Sequence, residues 1–234
     1  YKPVMAIFEE RKNKIAKGDL NVALIQGNVA QDVKWDPYLA QDHLSNYLRL
    51  TRLAAKDRVD LSIWPESAYP YSIRLDSLRT EKFLDREKLP TPILFGTVVR
   101  EFENNQNKAS YNSVVYADAD AQFRSVYHKM HLVPFGEYIP FKGVLSILPS
   151  LTAQVGEFAA GTEPTVFDVN GLRFGSLICF EDVFPESARR MALASADVLV
   201  NFTNDAWYLD SSAQYQHLVF SQFRALENRR TLLR

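Results

Sequence analysis

Short apolar runs along the chain alternate with stretches in which apolar residues recur at helical spacing. Residues 21–27 (Asn-Val-Ala-Leu-Ile-Gln-Gly) have the pattern of a strand buried on both faces. Asp36 and Pro37 are expected to open a helix, Asp as cap and Pro at the first position. Its inner face would carry Leu44, Tyr47, Leu48, Thr51 and Ala55. Residues 59–64 form a second strand that runs straight into Pro65 and Glu66, and 92–100 a third. Between these two, residues 67–90 are polar and irregular, with a short helix expected over 80–87. Residues 111–116 and 123–128 flank Ala-Asp-Ala-Asp-Ala and read as a hairpin.

Residues 141–161 are apolar but broken by Gly and Pro, which favours a long loop with partial helix. Val144, Leu145, Ile147, Leu148 and Leu151 fit either a core flap or a lid that dips into a lipid surface. A second hairpin, residues 166–168 and 172–180, leads to Cys179. Glu181, Asp182, Pro185 and Glu186 then resemble the acidic, proline-started first turn of a helix extending to about residue 196. Residues 198–203 form a strand ending in Asn-Asp-Ala-Trp207, and 214–229 the last helix. Strands alternating with helices, plus hairpins, predict an α/β fold with a mixed sheet or a pair of sheets.

Composition narrows the classes without choosing among them. The 234 residues are 47% hydrophobic and 24% charged, a globular balance. A formal net charge of −1 gives no basis for a nucleic-acid surface. One cysteine precludes an intrachain disulfide, and His and Cys are too sparse for a structural zinc site. No apolar run is long enough to span a bilayer. Residues 1–19 read as a linker or peripheral segment, and residues 20–234 as one domain.

Glu66, Lys129 and Cys179 each fall just past the end of an expected strand, where clefts form in α/β folds. A cysteine attacking an acyl carbon needs a base for its proton and donors for the developing oxyanion. Glu66 can be that base, and Lys129 can hold the oxyanion and lower the thiol pKa. A depressed thiol pKa is therefore the expectation, with an ionised Glu66 opposing it and able to leave only a small net shift. A lone cysteine in an apolar strand is also a common core residue, and surface Glu and Lys are common everywhere.

The words around these residues carry a resemblance. Trp-Pro-Glu66, Lys129-Met-His-Leu-Val-Pro-Phe-Gly-Glu137-Tyr and Ile-Cys179-Phe-Glu181-Asp-Val-Phe-Pro resemble the Glu–Lys–Cys signatures of the carbon–nitrogen hydrolase (nitrilase) superfamily. Ile-Gln-Gly-Asn28 with Trp35, Leu-Val-Pro-Phe-Gly-Glu-Tyr-Ile-Pro140 and Thr203-Asn-Asp-Ala-Trp207 are similar to the nitrilase-like domain of the apolipoprotein N-acyltransferases.

The resemblance implies a nitrilase-like α-β-β-α sandwich and ping-pong acyl transfer without a cofactor or metal. It implies Cys179 as nucleophile, Glu66 as general base and Lys129 as oxyanion-side cation. Glu137 and Glu181 would support them, with Trp35, Phe180 and Trp207 at the substrate. It further implies a phospholipid acyl donor, a diacylglyceryl apolipoprotein acceptor and a membrane surface as partners. The location implied is the bacterial inner membrane, with this domain facing the periplasm. Against the family pattern, the chain would lack membrane-spanning helices and a C-terminal segment. Phe180 also stands where relatives often have Tyr. The competing readings are a soluble amidase of the same superfamily and a non-catalytic binding module.

Overall fold

The computed structural model describes residues 20–30, 33–78, 83, 88–140, 157–209 and 211–234. The expected peripheral segment 1–19 and the apolar segment 141–151 lie outside the described residues, as does the helix expected over 80–87 apart from Phe83.

The apolar runs form two sheets. The first contains β1 (Val22–Leu24), β2 (Leu61–Ile63), β3 (Ser72–Arg74), β4 (Ile93–Glu103), β5 (Gln106–Ala117) and β6 (Phe123–His128). Its order is β1-β2-β4-β5-β6, and β3 pairs with β4 as well. Both β2 and β3 lie parallel to β4, at Ile93–Leu94 and Val98–Arg100 respectively, so one edge of β4 is occupied twice by the same chain. The second sheet contains β7 (Val166–Val169), β8 (Leu172–Ile178), β9 (Val198–Phe202) and β10 (Thr231–Leu233), ordered β10-β9-β8-β7.

Two apolar layers hold these sheets. Leu44, Tyr47 and Leu48 of helix α1 (Ala40–Ala54) pack with Trp64, Phe83 and Phe95 on one face of the first sheet. Leu61, Ile63, Leu94, Val114 and Tyr127 belong to a second layer with Phe174, Ile178, Val200 and Phe202 of the other sheet. That layer continues to Ala188 and Met191 of helix α2 (Pro185–Leu193). Each fully buried Leu, Ile or Phe contributes about 1.5–3 kcal/mol. Helix α3 (Ala213–Asn228) completes an α-β-β-α sandwich.

Several boundaries differ from the sequence reading. Asp36 closes a turn by accepting from the Tyr38 N–H at 2.9 Å, and α1 begins only at Ala40. The expected inner positions Leu44, Tyr47, Leu48 and Thr51 are buried, whereas Ala55 is the C-cap. Strands β4 and β5 are longer than expected and joined at Asn104 and Asn105, with φ of 51° and 61°. Asn accepts that left-handed backbone more readily than most residues. Pro185 is the first residue of α2 as the pattern suggests, but the helix ends at Leu193, and Ser195 at φ 68° closes it. Among the described residues, no helix is long and apolar enough to cross a membrane.

Helix α3 inverts the usual amphipathic pattern. Its buried residues are His217, Ser221 and Arg224, while Leu218, Phe223 and Leu226 are exposed. The polar inward face has a specific use at the site.

Candidate active site

Glu66 is delivered by the crossing between β2 and β3. Trp64 anchors that crossing: it is fully buried, donates from Nε1 to Thr51 Oγ1 at 2.9 Å, and stacks on Tyr47 with ring centroids 5.0 Å apart. The chain then passes directly over Gly96. A Cβ at position 96 would lie 2.6 Å from Glu66 Cα, Pro65 O and Ser67 N, so only glycine permits the approach. Gly96 N–H donates to Pro65 O at 3.2 Å, and Ser67 takes φ 50°. Replacing Gly96 with Ala is therefore expected to displace Glu66. The expected cost is about 1–3 kcal/mol of stability, read as a lower denaturant midpoint, with a larger proportional loss of activity.

Lys129 follows β6 immediately, its side chain 1% exposed, and its Nζ meets Glu137 Oε2 at 2.8 Å. Burial alone would lower its pKa, but Glu66, Glu137 and Cys179 outweigh burial and raise it, so the amine is a cation. Glu137 Oε2 also accepts from the Val133 N–H at 2.9 Å. Asn112, on β5, donates from Nδ2 to Glu66 Oε1 at 2.8 Å and to Glu137 Oε1 at 2.9 Å. One amide thus joins the two carboxylates that flank the lysine. Its role was invisible in the sequence, where Asn112 reads as one more residue of a strand.

Cys179 follows β8 and takes φ 50°, a left-handed conformation that turns the chain sharply out of the sheet. Its thiol interacts electrostatically with Glu66, Lys129 and Glu137 and hydrogen-bonds with Thr203. The expectation of a depressed thiol pKa is overturned. Burial first, then the Glu66 charge, push it up to about 12, and Lys129 with Thr203 offsets only part of this. The physical reason is that Lys129 is already neutralised by Glu137, leaving a partly buried thiol beside two carboxylates.

Glu181 sits fully buried behind these groups and ties their loops together. Its Oε1 accepts from the N–H groups of Met130 and His131 at 2.8 and 3.0 Å, and its Oε2 from Ile178 N–H at 2.8 Å. Tyr127 Oη donates to both oxygens at 2.9 Å. Burial raises its pKa, against the backbone donors and Lys129. Glu181 and Asp182 therefore do not form a solvated acidic first turn. They belong to a buried 3₁₀ turn, Cys179–Val183, placed before the helix.

Asp182 is the centre of a second network that the sequence reading missed. It receives a very short hydrogen bond from Ser221 Oγ and one from Asn201 Nδ2 at 2.6 Å. His217 Nε2 lies 2.7 Å from Asp182 Oδ1 and 3.1 Å from the carbonyl oxygen of Cys179, while its Nδ1 lies 3.0 Å from Asp205 Oδ1. Arg234 pairs with Asp205 at 2.5 Å. Arg224 donates to the carbonyls of Asp182 and Val183. The sequence signal was the helical spacing of His217, Ser221 and Arg224, which share one face of the helix.

A cavity of about 680 Å³ adjoins the cluster, with Gln26, Asn28, Lys34, Glu66, Thr203 and Arg234 among its walls. Trp35 and Trp207, 53% and 64% exposed, are not part of its wall, although their chain neighbours Lys34 and Ala206 are. Phe180 packs edge-on against Phe184, with centroids 5.9 Å apart, and also neighbours His217.

The sequence pattern of the carbon-nitrogen hydrolase family matches residues 21–231. The chain belongs to that family. It is 40% identical over 217 residues to the apolipoprotein N-acyltransferase of Geobacter metallireducens, covering 91% of this chain and 41% of the relative. The apolipoprotein N-acyltransferase of Azotobacter vinelandii is 36% identical over 94% of this chain and 42% of its own. The chain thus spans about two-fifths of the length of these curated relatives. Among solved structures, it is similar to a variant of the amidase from Nesterenkonia sp. AN1 with the acetamide moiety of fluoroacetamide added covalently at its active-site cysteine. That likeness has a TM-score of 0.60 at 18% identity, over 92% of this chain and 75% of the amidase chain. Another variant of this amidase, in complex with butyramide, matches at 18% identity with a TM-score of 0.60, over 93% of this chain and 76% of its own. At this identity the likeness shows the nitrilase-like sandwich and nothing of the substrate.

Proposed function

We propose that this domain performs the acyl transfer of an apolipoprotein N-acyltransferase, through a thioester on Cys179. The observation that supports this reading is the electrostatic cluster of Glu66, Lys129, Glu137 and Cys179, in a chain 40% identical to a relative of that name. Glu66 takes the thiol proton as sulfur attacks an ester carbonyl of a phospholipid, and Lys129 faces the oxyanion. Collapse breaks the C–O bond, and Glu66 returns the proton to the departing glycerol oxygen. The α-amine of a diacylglyceryl-cysteine apolipoprotein then attacks the thioester, an amide forms, and the C–S bond breaks. Glu66 accepts the amine proton and returns it to sulfur. A thiol with its pKa near 12 rests neutral, so its proton must leave as the C–S bond forms.

Glu137 and Glu181 hold the cation and the two loops, while Trp35, Phe180 and Trp207 are assigned to the approach of the lipid. On this reading the domain works at the outer surface of a bacterial inner membrane and faces the periplasm. Intact mass after incubation with phosphatidylethanolamine is the test. The expected result is a single acyl adduct, absent from Cys179→Ala and discharged by a diacylglyceryl peptide. Ammonia release from simple amides with no adduct would select an amidase instead. Lipid binding without either reaction would select a binding module.

A further inference from the structure

Lys34 is a charged side chain beside the cluster that the mechanism does not use. It sits in the connection between β1 and α1, and its Nζ donates to the backbone oxygen of Glu66 at 3.0 Å. Its neighbours Lys129 and Arg234 are paired with Glu137 and Asp205. Among the described residues, by contrast, Lys34 has no carboxylate at ion-pair distance. Burial lowers its pKa, against the fields of Glu66 and Cys179. An ammonium carries three donors; among the described residues Lys34 Nζ makes one hydrogen bond and lies 5.7 Å from the centroid of the Trp35 ring. The amine lines the 680 Å³ cavity together with the neutral polar groups of Gln26, Asn28, Thr203 and Gln214 and the charged groups of Glu66, Asp205 and Arg234, the last two paired with each other. A desolvated cation with unused donors in a polar cavity is costly until an anion enters.

We propose that Lys34 binds the phosphate of the acyl donor, the cavity holding the polar headgroup while the ester carbonyl reaches Cys179. This inference rests on the proposed function. A phosphodiester carries one negative charge and accepting oxygens close to the glycerol esters, which matches one cation placed beside the nucleophile. The alternative use of Lys34, as a helper of Glu66, has less support, because its bond goes to the Glu66 backbone and not to the carboxylate.

The test is calorimetric binding to the full chain carrying Cys179→Ala, so that no chemistry intervenes. The probes are dihexanoylphosphatidylethanolamine, dihexanoylglycerol and inorganic phosphate. Lys34→Met is expected to weaken the phospholipid about tenfold, the size of a charge-assisted hydrogen bond. Lys34→Arg should weaken it less, and dihexanoylglycerol should bind all variants alike. Equal losses for both lipids, no loss for the phospholipid, or no phospholipid binding by the parent would overturn the proposal. Inorganic phosphate binding as tightly as the phospholipid, with the same dependence on Lys34, would overturn the headgroup assignment. Thioester formation is followed in parallel with Cys179 intact. A missing adduct counts against the proposed function, and indifference to Lys34 counts against this site alone.

Discussion

Replacing Glu66 with Gln should slow thioester formation from phospholipid by about 10²–10⁴-fold, the usual contribution of a positioned general base. The same substitution should leave alkylation of Cys179 by iodoacetamide undiminished, or speed it at a given pH. In the proposed mechanism the two reactions diverge because Glu66 acts on the thiol in opposite senses. Its charge is the second-largest reason, after burial, that the thiol pKa stands near 12, so removing it favours the thiolate. Alkylation needs only that thiolate, since iodide leaves without a proton. Ester cleavage must also protonate a glycerol oxygen, and Gln has no proton to give. Gln preserves the volume and can still face Asn112 Nδ2 through its oxygen, so the cluster should remain assembled. Stopped-flow alkylation and adduct mass on one preparation give both rates. A parallel fall in the two would mean that Glu66 only shapes the pocket.

What the sequence disclosed about the fold and the site, and what it hid, follows from where each residue lies. The strand ends before Glu66, Lys129 and Cys179 were legible because apolar runs stop there and polar words begin. The edges of the sheets were not. Strands β3 and β10 are three residues each and owe their existence to a pairing partner rather than to a local pattern. The outer halves of β4 and β5 carry Glu101, Glu103, Asn107 and Lys108, which read as loop until the Asn104–Asn105 turn is recognised. Asn112 was hidden inside a strand.

The largest blind spot was the polar network under Cys179. Pattern reasoning assigns the apolar side of a helix to the core. Helix α3 instead spends its inner face on His217, Ser221 and Arg224, which hold the 3₁₀ turn bearing Cys179. The thiol pKa was misjudged for a related reason. A sequence shows that a lysine can stand near a cysteine, but not that Glu137 already neutralises that lysine.

The network makes stability depend on pH. His217 is 3% exposed and held between Asp182 and Asp205. Burial opposes its protonation, but the two carboxylates prevail over burial and the nearby Arg234, and its pKa rises from 6.5 to about 9. A histidine bound more tightly to its proton in the folded state contributes fully below pH 6.5. That contribution fades as pH rises through 9, where the folded state too loses the proton. The denaturant midpoint should therefore fall between pH 6.5 and 9.5.

The other shifted histidine, His128, is lowered to about 4, chiefly by burial, and costs stability only as pH falls below 6.5. The thiol of Cys179 is raised from 9.0 to about 12 and acts only above pH 9. His217→Gln removes the titration while keeping a donor that can reach the Cys179 carbonyl, so its midpoint should be lower at pH 6.5 and flat across the window. His217→Ala removes the cation nearest Asp182, leaving Arg234 at 3.6 Å, and should cost up to about 3–5 kcal/mol. A wild-type midpoint that does not move between pH 6.5 and 9.5 would show that His217 is neutral in its network. The turn bearing Cys179 would then be held by Arg224 and Asn201 instead.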